Sequence, residues 1–515
     1  MESHVNHLDA GEFADAIALA HSADANAPCA VEIVETHIST LFLTERFAYK
    51  VKKPVRNAFL DYSTLELRER FCHEEIRLDR RYAPDLYMGV VTFSRRHGRL
   101  VLGREGDACE YAVKMHRFPS DALLSYRLQQ NQVSVQDIRT LASHVAEFHG
   151  MALSALSTED SNLFGTPNLV LQDSIDNLDA LSACKWNQSN QIEQLMSLRK
   201  WTNSCFGHLT LEFANRKKSG FVRECHGDMH SGNVVCWHEQ FVPFDGIEFN
   251  ESLRWIDVMS DVAFLVMDLY ARQHEPFGNI FLNSYLEQTG DYAGLGVLRW
   301  YLVYRSLVRA KVEGIVMTQH PEESKEFATA FRGRSNYLDL ASRLVERQAP
   351  TLWITHGLSG SGKSTGAEEI VRKHGAIRIR ADVERKRLFG KDATYRASAP
   401  ELKQLYSIEM SQQTYTRLHS LALTLLQAGY SAIVDATFLE QKQRAMFASL
   451  AKEQSVRFEI LDFQASYETL MARVKHREAD EHDPSDANLA VLERQIELDE
   501  PLDEIELRNS RTVSE

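Results

Sequence analysis

At 515 residues, with 44% hydrophobic and 25% charged residues, the chain has an ordinary globular composition and is too long for one core, so two or three domains are expected. A formal net charge of −14 argues against broad binding to nucleic acid or anionic membrane. The longest apolar runs, such as VAFLVM at 262 to 267, are far too short to span a bilayer, and MESHVNHLDAGEFADAIALA lacks the basic start and apolar core of a signal peptide, so a cytoplasmic protein is expected.

Residues 31 to 53, VEIVETHISTLFLTERFAYKVKK, are rich in β-branched and aromatic residues and read as strands. A helical pattern follows from about Ser63 to Tyr82, with Leu65, Leu67, Phe71, Ile76 and Leu78 as the expected inward positions. LYMGVVTF at 86 to 93 and EYAVKM at 110 to 115 are strand-like. From 119 to 215 the patterns are helical with polar breaks, and after ECHGDMHSGNVV at 224 to 235 helices resume to YLDLASRLVERQ. This order predicts a small mixed lobe over 1–117 and a helical lobe over 118–347. RQAP at 347 to 350 is the expected joint, because proline ends the preceding helix. Beyond it, strand–loop–helix alternation over 351–515 predicts an α/β domain on a parallel sheet.

Seven cysteines, all before residue 240 and without a C-x-x-C pair, fit reduced thiols better than a disulfide framework or a zinc site. Cys225 borders the HGD motif, which makes it a weak nucleophile candidate, and a buried thiol is the favoured reading.

In HGDMHSGN, Asp228 and Asn233 are five residues apart on a tight loop, and Asp245 in FVPFDGIEF follows Asp228 by seventeen. Phosphoryl transfer from a nucleotide needs a base near the attacking hydroxyl and metal ions on the phosphates. Asp228 suits the base, and Asn233 and Asp245 offer hard oxygen ligands to Mg2+. The string H-G-D-x-H-x-x-N, with FDGIEFNESLRWIDVMSD after it, resembles the catalytic and metal-binding loops of the aminoglycoside phosphotransferase and choline kinase-like families. That resemblance implies the protein-kinase architecture, α+β, for the N-terminal part. Asp257 and Asp261 fall where such families keep further acidic residues, and helix surface or cap is an equal reading.

The resemblance also implies a lysine for the α- and β-phosphates. YAVK at 111 to 114 has the kinase look but follows the helix that would supply its glutamate. Lys50 and Lys52 precede that helix, point to one strand face, and have Glu74 and Glu75 as partner candidates; Lys50 with Glu75 is favoured. No G-x-G-x-x-G precedes Lys50, and ETHIST, with Ser39 and Thr40, stands in its place.

GLSGSGKS at 357 to 364 fits G-x-x-x-x-G-K-[ST], between the strand TLWIT and a helix stopped by Gly375. Gly357, Ser359, Gly360, Ser361, Gly362 and Thr365 would turn backbone N–H groups onto a phosphate. Lys363 would reach the β- and γ-phosphates and Ser364 would hold Mg2+. Asp382 and Asp435 end the next two strands, where ligands gather in open α/β sheets. Asp382 is assigned to the acceptor hydroxyl, with a helix N-cap as its alternative. Asp435 is assigned to the metal through water. Arg473 and Arg477 share a helical face before a lid-like polar run, EADEHDPSDAN, and salt-bridged surface is their alternative.

This part resembles the small P-loop kinases: gluconate, adenylate and shikimate kinases, the 5′-kinase part of polynucleotide kinases, and zeta-type toxins. The order of the halves resembles a bacterial family of fused aminoglycoside phosphotransferase-like and P-loop ATP-binding proteins, which carries a reaction class and no substrate. The expected function is a bifunctional kinase using ATP and Mg2+ on hydroxyl groups of small molecules. Two other readings stay open. The basic run RKHGAIRIRADVERKRLFGK would suit a 5′-polynucleotide kinase, and the P-loop domain would alternatively be an ATPase switch regulating the first kinase. Neither acceptor identity nor oligomeric state is written in these motifs.

Overall fold

The computed structural model describes residues 9–22, 29–57, 60–104, 106–159, 162–346, 348–393, 395–478 and 489–513. It divides into two compact units, Met1–Thr166 with Arg216–Asp261, and Pro167–Asn215 with Val262–Glu515.

The first unit is built on an antiparallel sheet of β1 (Glu32–Glu35), β2 (Ser39–Leu43), β3 (Phe47–Lys52), β4 (Tyr87–Arg96), β5 (Arg99–Leu102) and β6 (Ala108–His116), in the order β1-β2-β3-β6-β4-β5. One face packs Phe42, Tyr49, Val51, Phe93 and Ala112 under the helix Ala10–His21. The other face takes the helix Leu65–Asp79, whose first turn is capped by Thr64 Oγ1 accepting from Leu67 N. The expected inward positions need correction here. Ile76 and Leu78 are buried, but Leu65, Leu67 and Phe71 are only partly so. The buried positions are Arg68, Cys72, Glu75, Ile76, Leu78 and Asp79, half of them a guanidinium or a carboxyl group. Hydrophobic periodicity cannot find a face half of whose buried members are polar.

After β6 the chain enters helices, then the short pair β7 (Val222–Glu224) and β10 (Trp255–Asp257) and the hairpin β8 (Val234–Trp237) with β9 (Gln240–Pro243). The HGD loop therefore leaves β7 and enters β8, and the hairpin returns the chain to the same place. Val234 pairs with Pro243, and Phe244 N donates to Asn233 O at 3.0 Å, so Asp245 is delivered beside the loop.

The second unit contains a parallel sheet of β11 (Thr351–His356), β12 (Ile377–Arg380), β13 (Ala432–Asp435), β14 (Arg457–Phe463) and β15 (Ser510–Val513), in the order β12-β13-β11-β14-β15 with every neighbouring pair parallel. β11 is central and apolar (Leu352, Trp353 and Ile354 are buried), as a strand covered on both faces should be. The same unit holds the long helices Leu295–Gln319 and Lys325–Val345 and the helix Glu275–Thr289. Among the described residues no helix is long and apolar enough to cross a membrane.

Candidate functional sites

Both lysines of β3 reach the helix Leu65–Asp79, and they end in different surroundings. Lys50 Nζ donates to Glu75 Oε1 at 3.0 Å and also pairs with Asp245. Lys52 Nζ donates to the other oxygen, Glu75 Oε2, at 2.6 Å and pairs with Glu248, which also accepts from the Tyr62 hydroxyl. Lys52 has a fully buried side chain, whereas Lys50 is slightly exposed beside a half-exposed Asp245. Burial would lower the Lys50 ammonium, but Asp245 and Glu75 override it and hold the lysine well above its ordinary value. Desolvation would likewise raise Asp245, and Lys50, then Lys52 and His226, keep it below the usual carboxylate range. Glu74 takes no part in this cluster and pairs with Arg77 and Arg254.

The HGD loop is held from behind. His226 Nε2 meets Phe244 O at 2.9 Å, and Asp228 N donates to His226 Nδ1 at 3.2 Å, a tautomer in which one imidazole bridges the two acidic segments. Gly227 lies at φ +84°, and a Cβ there would stand 2.6 Å from Leu253 O, so only glycine lets the loop cross this backbone. Asp261 accepts from His226 N and Gly227 N, each at 2.9 Å, and is fully buried beside His149. Of the two further acidic residues, Asp261 is thus an anchor of the loop. Asp257 is bound to Arg216 and accepts from Met259 N at the start of the next helix.

Asp228 is turned toward solvent, and Asn233 Nδ2 donates to Asp228 Oδ2 at 3.0 Å. That contact uses the Asn233 amide N–H and leaves its carbonyl oxygen for another partner. Asp245 sits at φ +61°, a conformation rare for a non-glycine residue, and Tyr87 Oη accepts from its N–H at 3.0 Å. Carboxylate and carboxamide oxygens are hard donors of the kind Mg2+ prefers, so Asn233 and Asp245 fit that ion. Ser39 is buried on β2 with its backbone N–H on Thr36, and Thr40 pairs across to Val51.

Sequence reasoning missed three members of this cluster. Glu248 stands three residues beyond Asp245, Tyr62 just before the helix, and Asp79 at its last turn. Asp79 is completely buried, accepts from Gly246 N at 2.9 Å, and has a second oxygen without a hydrogen bond. Burial, with Glu75 and Asp245 nearby, raises its carboxyl well above the ordinary value.

In the second unit, Gly357 and Gly362 have φ of +135° and +96°, and Gly362 opens the helix Lys363–His374. A Cβ on Gly357 would stand 2.4 Å from Phe463 O, which fixes glycine at the end of the central strand. Lys363 Nζ folds back to Leu358 O at 2.7 Å, and Arg473 Nη1 donates to Gly360 O at 3.2 Å. Ser361 is buried in the turn, while Ser364 and Thr365 are exposed at the helix start. A cavity of about 1090 Å³ opens from this loop, lined by Ser359, Gly360, Gly362, Lys363, Ser364 and Thr365 at one end. It also reaches Asp382 and Asp435, so the strand ends gather at the loop. Asp382 is not the N-cap of its helix. Arg380 holds that position, and Asp382 instead accepts from Arg385 Nη1 at 2.7 Å. Arg385 lies 4.7 Å from the Tyr406 ring centroid and lines the cavity, a residue that the three-residue spacing from Asp382 on one helix could have flagged. Asp435 has a buried oxygen without a hydrogen bond, and with Ser364 it fits a divalent cation at the phosphates. The side chain of Arg477 and the polar run 479–488 lie outside the described residues.

An antiparallel sheet whose lysine pairs with a helix glutamate, followed by an HGD loop with Asp245 delivered beside it, defines a protein-kinase-like fold. A parallel sheet in the order above, with a glycine loop after its central strand, defines a P-loop nucleotide-binding fold. Residues 352–502 match the family model described as an AAA domain. Uncharacterised proteins of Mycobacterium tuberculosis and Mycobacterium bovis are each 28% identical to the chain over 427 residues, covering 82% of it and 81% of the relative. Among solved structures, an ethanolamine kinase of Plasmodium vivax is 9% identical, covers 60% of this chain and 82% of that one, and has a TM-score of 0.36. A gluconokinase of Sinorhizobium meliloti is 18% identical, covers 33% and 84%, and has a TM-score of 0.23.

Proposed function

We propose that the protein is a bifunctional phosphotransferase that uses ATP and Mg2+ to phosphorylate hydroxyl groups of small molecules at two separate sites. The observation that carries this reading is that one chain holds two separate sets of residues suited to handling phosphate. One is Lys50, Glu75, Asp228, Asn233 and Asp245; the other is the 357–365 loop with Lys363, Asp382 and Asp435. In the first, Lys50 would hold the α- and β-phosphates and Asp228 would take the proton of the acceptor hydroxyl. The oxygen–phosphorus bond to the γ-phosphoryl group forms as the bond to ADP breaks. Asn233 and Asp245 would hold Mg2+, which neutralises the transferring phosphoryl charge when bound. In the second, the loop amides and Lys363 would cradle the phosphates, with Arg473 at the loop's edge. Asp382 faces the same cavity as the acceptor base, and Arg385 offers a cation for an acceptor substituent.

The basic run at 372–391 favours a small acceptor over a polynucleotide. Lys373, Arg378, Arg380, Arg385 and Arg387 each pair with a carboxylate of the protein itself, which leaves little of the run for a phosphate backbone. Counting nucleotides tests the two-site reading: the full chain binds two per protomer, Lys50→Met removes one and Lys363→Ala the other. One nucleotide per protomer in the unaltered chain, or a variant that loses both nucleotides or neither, would refute it.

A further inference from the structure

β12 is the edge strand of the parallel sheet, and its outer side is covered by the helix Glu275–Thr289. Asn283 on that helix acts as a missing neighbour strand: its Oδ1 accepts from Arg378 N at 2.7 Å and its Nδ2 donates to Ala376 O at 3.2 Å. One turn further along, Glu287 accepts from Arg378 Nη2 at 3.1 Å and from Arg380 Nη1 at 2.9 Å. All three side chains are at most 16% exposed, so this is a largely desolvated group of one carboxylate and two guanidinium ions.

Arg380 also lines the nucleotide-side cavity, at the last position of β12, and its register partner is Asp435, the last residue of β13. Arg380 Nε forms a long ion pair with Asp435 Oδ2 at 3.9 Å, beyond hydrogen-bond reach, and that oxygen is buried with no hydrogen bond. Two carboxylates therefore share one guanidinium: Glu287 accepts a hydrogen bond from it, and Asp435 meets it only as a longer ion pair. If Glu287 were neutral, Coulomb attraction in this low-dielectric setting would draw Arg380 onto Asp435 and occupy the oxygen a cation would use.

We infer that Glu287 is a positioning residue of the P-loop site, keeping Arg380 from closing its long ion pair with Asp435 into a hydrogen bond and so leaving that carboxylate oxygen open to the divalent cation. The helix that covers the sheet edge thereby sets the metal requirement of a site to which it contributes no ligand. This inference rests on the assignment of Asp435 to the metal in the proposed function.

The test is a Mg2+ titration of fluorescent ATP-analogue binding to the full chain, with Lys363→Ala defining the signal from the other site. Glu287→Gln raises the Mg2+ concentration for half-maximal binding at the P-loop site by about tenfold, the usual scale for losing a residue that orients a metal ligand. Adding Arg380→Gln to it restores the midpoint to within about twofold of wild type. Asn283→Ala, which loosens the same helix from the same strand, leaves the midpoint in place. An unchanged midpoint in Glu287→Gln, or a double variant as impaired as the single, overturns the inference. If Glu287→Gln does not fold, Arg380→Gln alone decides: the midpoint falls if the inference holds, and a rise or no change overturns it. Asp435→Asn separates the two levels of the argument. No shift there removes the metal assignment itself, whereas a shift there with none in Glu287→Gln removes only the positioning role.

Discussion

Lys50 and Lys52 stand two residues apart on β3 and share one carboxylate, Glu75, yet they do different work. Lys50 extends to the half-exposed Asp245; Lys52 is sealed between Glu75, Glu248 and Tyr62. Lys50→Met should therefore abolish nucleotide binding at this site and cost less stability than Lys52→Met, because one of its two partners, Asp245, is partly exposed. Lys52→Met should destabilise the fold by about 3–5 kcal/mol, because it strands buried carboxylates without their cation. Urea denaturation of the two variants checks this, and equal losses of stability would show that the lysines share one role. Asp79 gives a pH test with a definite sign. Its folded pKa is raised well above the ordinary 3.8, so the unfolded chain releases its proton first. Its stabilising contribution is complete below about pH 3.8 and is lost as pH rises through the folded value. Asp79→Asn keeps the acceptor for Gly246 N and removes the titration. Its melting temperature relative to wild type should climb between pH 4.5 and 7.5, and parallel profiles would contradict the raised pKa.

At the scale of elements, motif loops were legible in sequence and their supports were not. HGDMHSGN and GLSGSGKS declare themselves because each needs fixed residue types at fixed spacing, whatever surrounds them. The helix Leu65–Asp79 did not declare its inward face, because Arg68, Glu75 and Asp79 are buried by pairing with residues distant in sequence, Glu110, Lys50, Lys52 and Gly246. Asp261 shows the same limit. Spacing could place it near the site, but only the fold shows it accepting two loop N–H groups. Asp261→Ala should lower turnover at the first site by about 10²-fold through misplacement of Asp228, with a much smaller change in ATP affinity. Steady-state kinetics with nucleotide binding measured in parallel checks this, and an equal loss of affinity would mean that Asp261 contacts the nucleotide.

On the scale of the whole molecule, the unit that carries the P-loop sheet also includes the helices over 262–345, and Asn283 and Glu287 tie one of them to the edge strand. The C-terminal stretch therefore shares a folded body with helices that precede it in the chain. Tethering two phosphotransferases would raise the local concentration of a shared intermediate, so the product of one site should serve as the acceptor of the other; two unrelated acceptors would end that idea. The measurement that bears most directly on the central claim is transfer from γ-labelled ATP into a fractionated bacterial metabolite extract, comparing wild type, Asp228→Asn and Lys363→Ala. Two active sites predict that each variant abolishes a different labelled product while the protein stays folded. If Lys363→Ala only changes the yield of the Asp228-dependent product, the P-loop domain is a regulator and the bifunctional account is contradicted.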